Sequence, residues 1–236
     1  MPTVLITGAT KGIGQSAAKL FAKSGWDLLL VARTEDKLRS LSQEIKSQDL
    51  NVSFQSIDLA KPDSIAPSLE ELIQRTKEPV SVLINNAGSA WTGDLLSMPL
   101  NEWHWLLQIN LTSIFQVCSA VVPSMRANGG LIINVSSHAS RNAFPQWGAY
   151  CTTKAALAAF TKCLGEEERA NGIRACTLTL GAVNTSLWDS ETIQADFDRN
   201  AMLPAEEAAQ ALLYLAQQPS SQVVEDITLM PSTGAF

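Results

Sequence analysis

Tyr150 and Lys154 lie four residues apart and are the pair in this sequence best suited to move a proton. Side chains at that spacing share one helix face. A free phenol has a pKa of about 10 and is a poor acid or base at neutral pH. A neighbouring ammonium stabilises the phenolate and draws the group toward proton-transfer competence. Ser137, just beyond the apolar run 131–135, is placed to hydrogen-bond the same substrate oxygen. A Tyr and Lys at this spacing also occur as an ordinary surface contact, so the pair acquires meaning only from what surrounds it.

The strongest context lies near the N-terminus. Residues 7–14 read Thr-Gly-Ala-Thr-Lys-Gly-Ile-Gly, between an apolar run at 4–6 and a segment with Ile13, Ala17, Leu20 and Phe21 on one helical face. Strand, glycine turn and helix form a dinucleotide-site signature. Glycines let main-chain amides approach a ligand without Cβ atoms in the way. The helix start adds free N–H groups and a positive dipole end that suit a diphosphate. Glycines at 8, 12 and 14 give Gly-x-x-x-Gly-x-Gly, which departs from the usual Gly-x-Gly-x-x-Gly. A tight turn with no ligand is the competing reading.

Two cations bear on which dinucleotide. Arg33 and Thr34 follow the second apolar run, where NAD sites place an acidic side chain and NADP sites accommodate the ribose 2′-phosphate with an Arg. Lys11, inside the glycine turn, offers a second contact to that phosphate. Asp58 and Leu59, after the third run, are placed near an adenine. Asn86, Ala87 and Gly88 are placed beneath a ribose, although Asn-Asn-Ala-Gly alone reads as a turn.

Six apolar runs, at 28–31, 52–54, 80–84, 131–135, 175–180 and 227–230, alternate with helical segments after the first strand. Such alternation implies a parallel sheet covered on both faces, with ligands beyond the carboxyl ends of its strands. A mostly buried helix is expected from about residue 101 to 125. Within it, Asn110 either holds a water or a main-chain carbonyl or is a satisfied core amide. His104, between Trp103 and Trp105, reads as a partly exposed helix residue.

The bulk numbers narrow the function classes. With 236 residues, 46% of them hydrophobic, the chain can bury a full core, and no linker divides it. It reads as one domain over residues 1–236. No run approaches the roughly 20 apolar residues of a membrane span, and the N-terminus lacks a signal pattern. A soluble, cytoplasmic protein is expected. Cys118, Cys151, Cys163 and Cys176 form no Cys-x-x-Cys pair and have no His at ligand spacing, so they read as reduced, mostly buried thiols and no metal site is expected. A net charge of −6 argues against a nucleic-acid partner.

Taken together, Thr7-Gly8-x-x-x-Gly12-Ile13-Gly14, Asp58, Asn85-Asn86-Ala87-Gly88, Asn110, Ser137 and Tyr150-x-x-x-Lys154 resemble the single-domain short-chain dehydrogenase/reductases. Order and spacing match from residue 3 to about 185, including the step of thirteen residues from Ser137 to Tyr150. The resemblance implies a doubly wound, Rossmann-type, mostly seven-stranded parallel sheet in three α/β/α layers. It implies an NADP(H)-dependent oxidoreductase acting on a carbonyl or alcohol. Tyr150 would be the general acid and base, Ser137 would polarise the carbonyl oxygen, and Lys154 would hold the nicotinamide ribose and lower the Tyr150 pKa. Asn110 would hold a water linking Lys154 to solvent. Cofactor contacts would come from Gly8, Thr10, Lys11, Gly12, Ile13, Gly14, Arg33, Thr34, Asp58, Leu59, Asn86, Ala87, Gly88, Tyr150, Lys154, Val183 and Thr185. An NADP-bound redox sensor is the competing reading, and a sugar-nucleotide epimerase would need a longer chain after Thr185.

Two departures stand out. Leu180-Gly181 replaces the family's Pro-Gly, which leaves that turn less fixed. The C-terminus lacks the Asp-Gly-Gly tail of 3-oxoacyl-carrier reductases and resembles the hydroxy-acid and carbonyl-reducing branches more. Residues 185–203 are expected to form a mobile flap, with Trp188 and Phe197 as one apolar wall and His138, Phe144 and Trp147 opposite. Asp189, Glu191, Asp196 and Asp198 make the flap acidic, which favours a free small carbonyl or hydroxyl compound, a 3-hydroxy acid among them, over an acidic carrier protein. Apolar residues on two faces of the helices near Asn110 and after Tyr150, including Leu157, Phe160 and Leu164, point to a homodimer or homotetramer.

Overall fold

The computed structural model describes residues 1–47, 49–76, 78–195 and 197–234. Strands β1 (Thr3–Thr7), β2 (Asp27–Ala32), β4 (Val80–Asn85), β5 (Gly130–Ser137) and β6 (Ile173–Leu180) are almost wholly buried, as the central strands of a sheet covered on both faces must be. β3 (Val52–Ser56) and β9 (Asp226–Leu229) form its half-exposed edges. The order is β3-β2-β1-β4-β5-β6-β9, and every neighbouring pair is parallel. This is the doubly wound Rossmann-type sheet that the sequence implied.

Alternate residues of each strand feed two cores, because successive side chains point to opposite faces. Val4, Ile6, Leu28 and Leu30 pack against α1 (Gly12–Lys23) and α7 (Ala205–Ala216), with α2 (Glu35–Ile45) beside them. Leu5, Leu29, Val31 and Leu83 meet α3 (Pro62–Ile73), α5 (Ser113–Met125) and α6 (Gly148–Glu167) on the other face. The strand order reverses between β1 and β4, so a crevice opens where their carboxyl ends diverge.

Three features differ from the sequence reading. The long helix is α4 (Leu100–Leu107), a π-turn (Gln108–Thr112) and α5 in one run, and Asn110 sits in the π-turn. Over residues 100–125 this helix is long and apolar enough to cross a membrane, with a mean hydropathy of 1.5, although no apolar run had been expected to approach that. Half of its apolar window is buried inside the fold, where α5 presses Ile114, Val117 and Val121 onto the sheet, so it is a core helix. Finally, Cys118 and Cys176 are buried, but Cys163 is exposed and Cys151 half-buried, because α6 turns those positions away from the sheet.

Candidate active site

The loop from β1 into α1 shows what its glycines are for. Gly8 and Gly12 adopt positive φ (68° and 52°), a conformation that costs other residues energy. Gly14 has ordinary angles, but a Cβ there would lie 2.3 Å from Gly8 O and 2.6 Å from Asn86 Nδ2. Asn86 Nδ2 donates to Thr7 O (3.0 Å), and the main-chain N–H groups of Asn86 and Ala87 both donate to Thr7 Oγ1 (3.1 Å each). The ends of β1 and β4 are thereby pinned together beneath the crevice. Asn85, one residue earlier on the opposite strand face, turns inward and donates to Asn134 Oδ1 (2.9 Å).

A cavity of about 940 Å³ runs from this turn along the strand ends. That lies near the upper end of the roughly 300–1,000 Å³ typical of ligand clefts. Gly8, Thr10, Lys11, Gly12, Ile13, Arg33, Thr34, Asp58, Leu59, Asn86, Ala87, Gly88, Val183 and Thr185 line it, together with Ser137, Tyr150 and Lys154. Gly14 and Asn110 do not, because both are packed behind its wall.

At one end stand Lys11, Arg33 and Lys37, exposed and without an ion-pair partner among the described residues. Lys37 escaped the sequence reading. Its signal was its spacing, four residues after Arg33 and in the first turn of α2. Three unpaired cations beside a free helix N-terminus suit an anionic ligand with phosphate groups. Asp58 also makes no ion pair among the described residues; its Oδ1 accepts from the Ala60 N–H (3.1 Å) and shapes the loop.

At the other end α6 delivers Tyr150 and Lys154 one turn apart, opposite Ser137 at the end of β5. The Ser137 side chain lies beside the Tyr150 phenol and favours its ionised form. Ser137 Oγ accepts from the Ala139 N–H (3.2 Å), which fixes the short turn after β5. Lys154 is 6% exposed, donates from Nζ to Val135 O (3.0 Å), and lies 5.8 Å from the centre of the Tyr150 ring. Burial pushes the Tyr150 phenol up to about 12, partly offset by the Ser137 side chain, with Cys151 adding a smaller upward push. Burial also lowers Lys154 to about 8. The sequence led to the expectation that Lys154 draws the phenol down; in the structure removal from water dominates and the phenol is pushed up instead.

Asn110 is fully buried and well partnered. Its Nδ2 donates to Ser89 O (2.8 Å) and Thr153 Oγ1 (3.1 Å), while its Oδ1 accepts from the Ser89 N–H (2.9 Å). It ties the loop after β4 to α6 behind the tyrosine. A Cβ on Gly88 would stand 3.4 Å from Asn110 Oδ1 and 3.7 Å from Lys154 Nζ, so the glycine keeps the space between them open. Ser136, also missed, lines the cavity while 4% exposed, and its hydroxyl has no hydrogen-bond partner among the described residues.

Leu187, Trp188, Glu191 and Phe197, from the described part of the segment 185–203, border the tyrosine end of the cavity. A parallel pair, β7 (Val183–Asn184) with β8 (Leu203–Pro204), clasps the segment's two ends; at two residues each, these strands are too short to show periodicity. Thr192 Oγ1 donates to Ala90 O (2.6 Å), and the Gln194 N–H donates to Thr92 Oγ1 (2.7 Å). The Leu180-Gly181 turn lacks its proline but is held by the Gly181 N–H donating to Leu229 O (2.9 Å) and the Leu203 N–H to Ala182 O (3.0 Å). Asp196 lies outside the described residues, and His104 is exposed on α4, away from the cavity.

A family model described as short chain dehydrogenase matches residues 2–196. The chain belongs to this family. Like its other members, it is an oxidoreductase of the kind that interconverts CH–OH and C=O groups. It is 34% identical to an uncharacterized oxidoreductase of Staphylococcus saprophyticus, over 98% of this chain and 96% of that one. Similarity extends to a 3-oxoacyl-[acyl-carrier-protein] reductase of Chlamydia trachomatis, at 30% identity over 95% and 94% of the two chains. Among solved structures, an alcohol dehydrogenase from the archaeon Thermococcus sibiricus complexed with 5-hydroxy-NADP superposes with a TM-score of 0.90. That protein is 27% identical, with 98% of this chain and 97% of that chain covered.

Proposed function

We propose that this short chain dehydrogenase is an NADP(H)-dependent reductase of a small carbonyl compound, or dehydrogenase of the matching alcohol, with Tyr150 as general acid and base. One observation carries the reading: a single cavity joins three unpaired cations at a glycine turn to the half-buried Ser137 and Tyr150 and the buried Lys154. The cradle fits the cofactor, since the positive φ of Gly8 and Gly12 leaves main chain where side chains would obstruct a diphosphate. Lys11 and Arg33, joined by Lys37, would hold the 2′-phosphate, and Val183 and Thr185 would border the nicotinamide. The Thermococcus structure, with its NADP derivative, supports the same choice.

When bound, the reduced cofactor supplies the two electrons and the hydrogen that reduce the carbonyl carbon. The protein supplies the rest. Ser137 holds the substrate oxygen beside the phenol. The Tyr150 O–H bond breaks as its proton passes to that oxygen, leaving a phenolate and an alcohol; oxidation reverses each change. Lys154, with one N–H on Val135 O, has two more to hold ribose hydroxyls and carries the positive charge that steadies the phenolate.

The whole chain would act as one domain, in the cytoplasm, as a homo-oligomer. Phe115, 55% exposed on α5, supports the last point, as do the half-buried Phe160 and Leu164 on α6, whose neighbour Leu157 is core. The test is ketone reduction followed by NADPH absorbance, with NADH in parallel. Wild type should prefer NADPH, and Arg33→Asp should move the preference toward NADH. Unchanged selectivity would refute the phosphate role.

A further inference from the structure

The tyrosine end of the cavity differs in character from the cofactor end. An unbroken series of edge-to-face rings starts at the reactive phenol. Trp147 stands 5.7 Å from Tyr150 at 72°, Trp188 lies 5.9 Å from Trp147 at 63°, and Phe197 lies 5.2 Å from Trp188 at 85°. Phe144, 6.1 Å from the His138 ring, faces the same space.

Charge is distributed just as unevenly. Of the cavity's cations among the described residues, Lys11, Arg33 and Lys37 belong to the glycine-turn end, and Lys154 is held behind Tyr150 by Val135 O. The arginines near the tyrosine end are already engaged. Arg199 binds Asp189 (3.0 Å), Asn184 Oδ1 (2.9 Å) and Thr185 O (2.7 Å), and Arg141 pairs with Asp226 (2.5 Å). His138 Nε2 stands 2.9 Å from the Asn142 Nδ2 amide. The carboxylates lining this end are Asp189, neutralised by Arg199, and Glu191, which has no ion-pair partner among the described residues.

We infer that the substrate is an uncharged ketone, or the corresponding secondary alcohol, whose aromatic or bulky aliphatic group packs on the Trp147, Trp188 and Phe197 wall. An acid or an acyl group on an anionic carrier is excluded. This rests on the reductase reading, and it sets aside the 3-hydroxy acid considered from sequence. Aromatic rings stabilise such a group through apolar burial and ring contacts. A carboxylate there would lose its hydration, find no free cation and face Glu191.

Matched pairs test it with the full chain: acetophenone against para-acetylbenzoate, and ethyl acetoacetate against acetoacetate. Two readouts are needed, NADPH consumption and quenching of tryptophan fluorescence by the carbonyl compound. The neutral member of each pair should be favoured at least about tenfold in kcat/KM and in binding. Glu191→Lys, an exposed change, should narrow that ratio. Carboxylates turned over as well as their neutral partners, or a ratio indifferent to Glu191→Lys, would overturn the inference and leave the reductase standing. Selective quenching by the neutral ketones without NADPH consumption would support the inference while refuting the reductase.

Discussion

Replacing Asn110 by Leu removes three hydrogen bonds at a site where water cannot take their place. The amide is 0% exposed and holds both the N–H and the C=O of Ser89, at 2.9 and 2.8 Å. Leu is similar in size, so the pocket stays closed and both main-chain groups are left bare. Each unsatisfied buried group costs about 1–3 kcal/mol. Thr153 Oγ1 adds little, because it keeps its own hydrogen bond to Tyr150 O (2.8 Å). The loss is therefore about 2–6 kcal/mol, with the buried Leu returning about 1.5 kcal/mol of it. Against a typical domain stability of about 5–15 kcal/mol the effect is large. Urea unfolding of wild type and variant, followed by circular dichroism, measures it directly. The net change is about 0.5–4.5 kcal/mol, and no measurable loss, or a gain, would refute the reasoning, since it would mean that Ser89 finds other partners.

Two further outcomes follow from the same geometry. Gly14→Ala forces a methyl to within 2.3 Å of Gly8 O, a main-chain atom with nowhere to go, so NADPH binding by isothermal titration should fall at least about tenfold, whereas Gly25→Ala, with nothing within 4 Å of the added atom but a φ of 79°, should cost only stability. Equal binding by wild type and Gly14→Ala would show that the turn is not the cradle. Burial lowers Lys154 from 10.5 to about 8, so between those pH values the unfolded chain binds a proton that the folded chain has shed. Wild-type stability relative to Lys154→Met should therefore rise with pH across that window, on the order of 1–3 kcal/mol in all. A flat or falling difference would show that burial does not govern this lysine.

Much of the fold was legible because its signals are local. The runs at 28–31, 80–84 and 131–135 lie in almost wholly buried parallel strands and read as largely apolar stretches. The turn at 7–14 carried its own geometry in its glycines. What escaped depends on distant partners. Whether Asn110 was a satisfied amide could not be known until Ser89 and Thr153 were placed around it. The π-turn there has no residue signature of its own, and β7 and β8 exist only because residues 203–204 return to 183–184. Lys37 looked like any surface cation on a helix, and only the cavity joins it to Arg33. The wall residues Trp147 and Trp188 were named from sequence, but their continuity with Tyr150 is a property of the folded segment.

The central claim is that Tyr150 exchanges the proton with substrate, and Tyr150→Phe tests it most directly. This change removes one hydroxyl and keeps the ring that contacts Trp147. NADPH should bind as in wild type, and kcat for reduction of a neutral ketone such as acetophenone should fall by at least about a hundredfold. Turnover retained within about tenfold of wild type, with NADPH binding intact, would contradict the account.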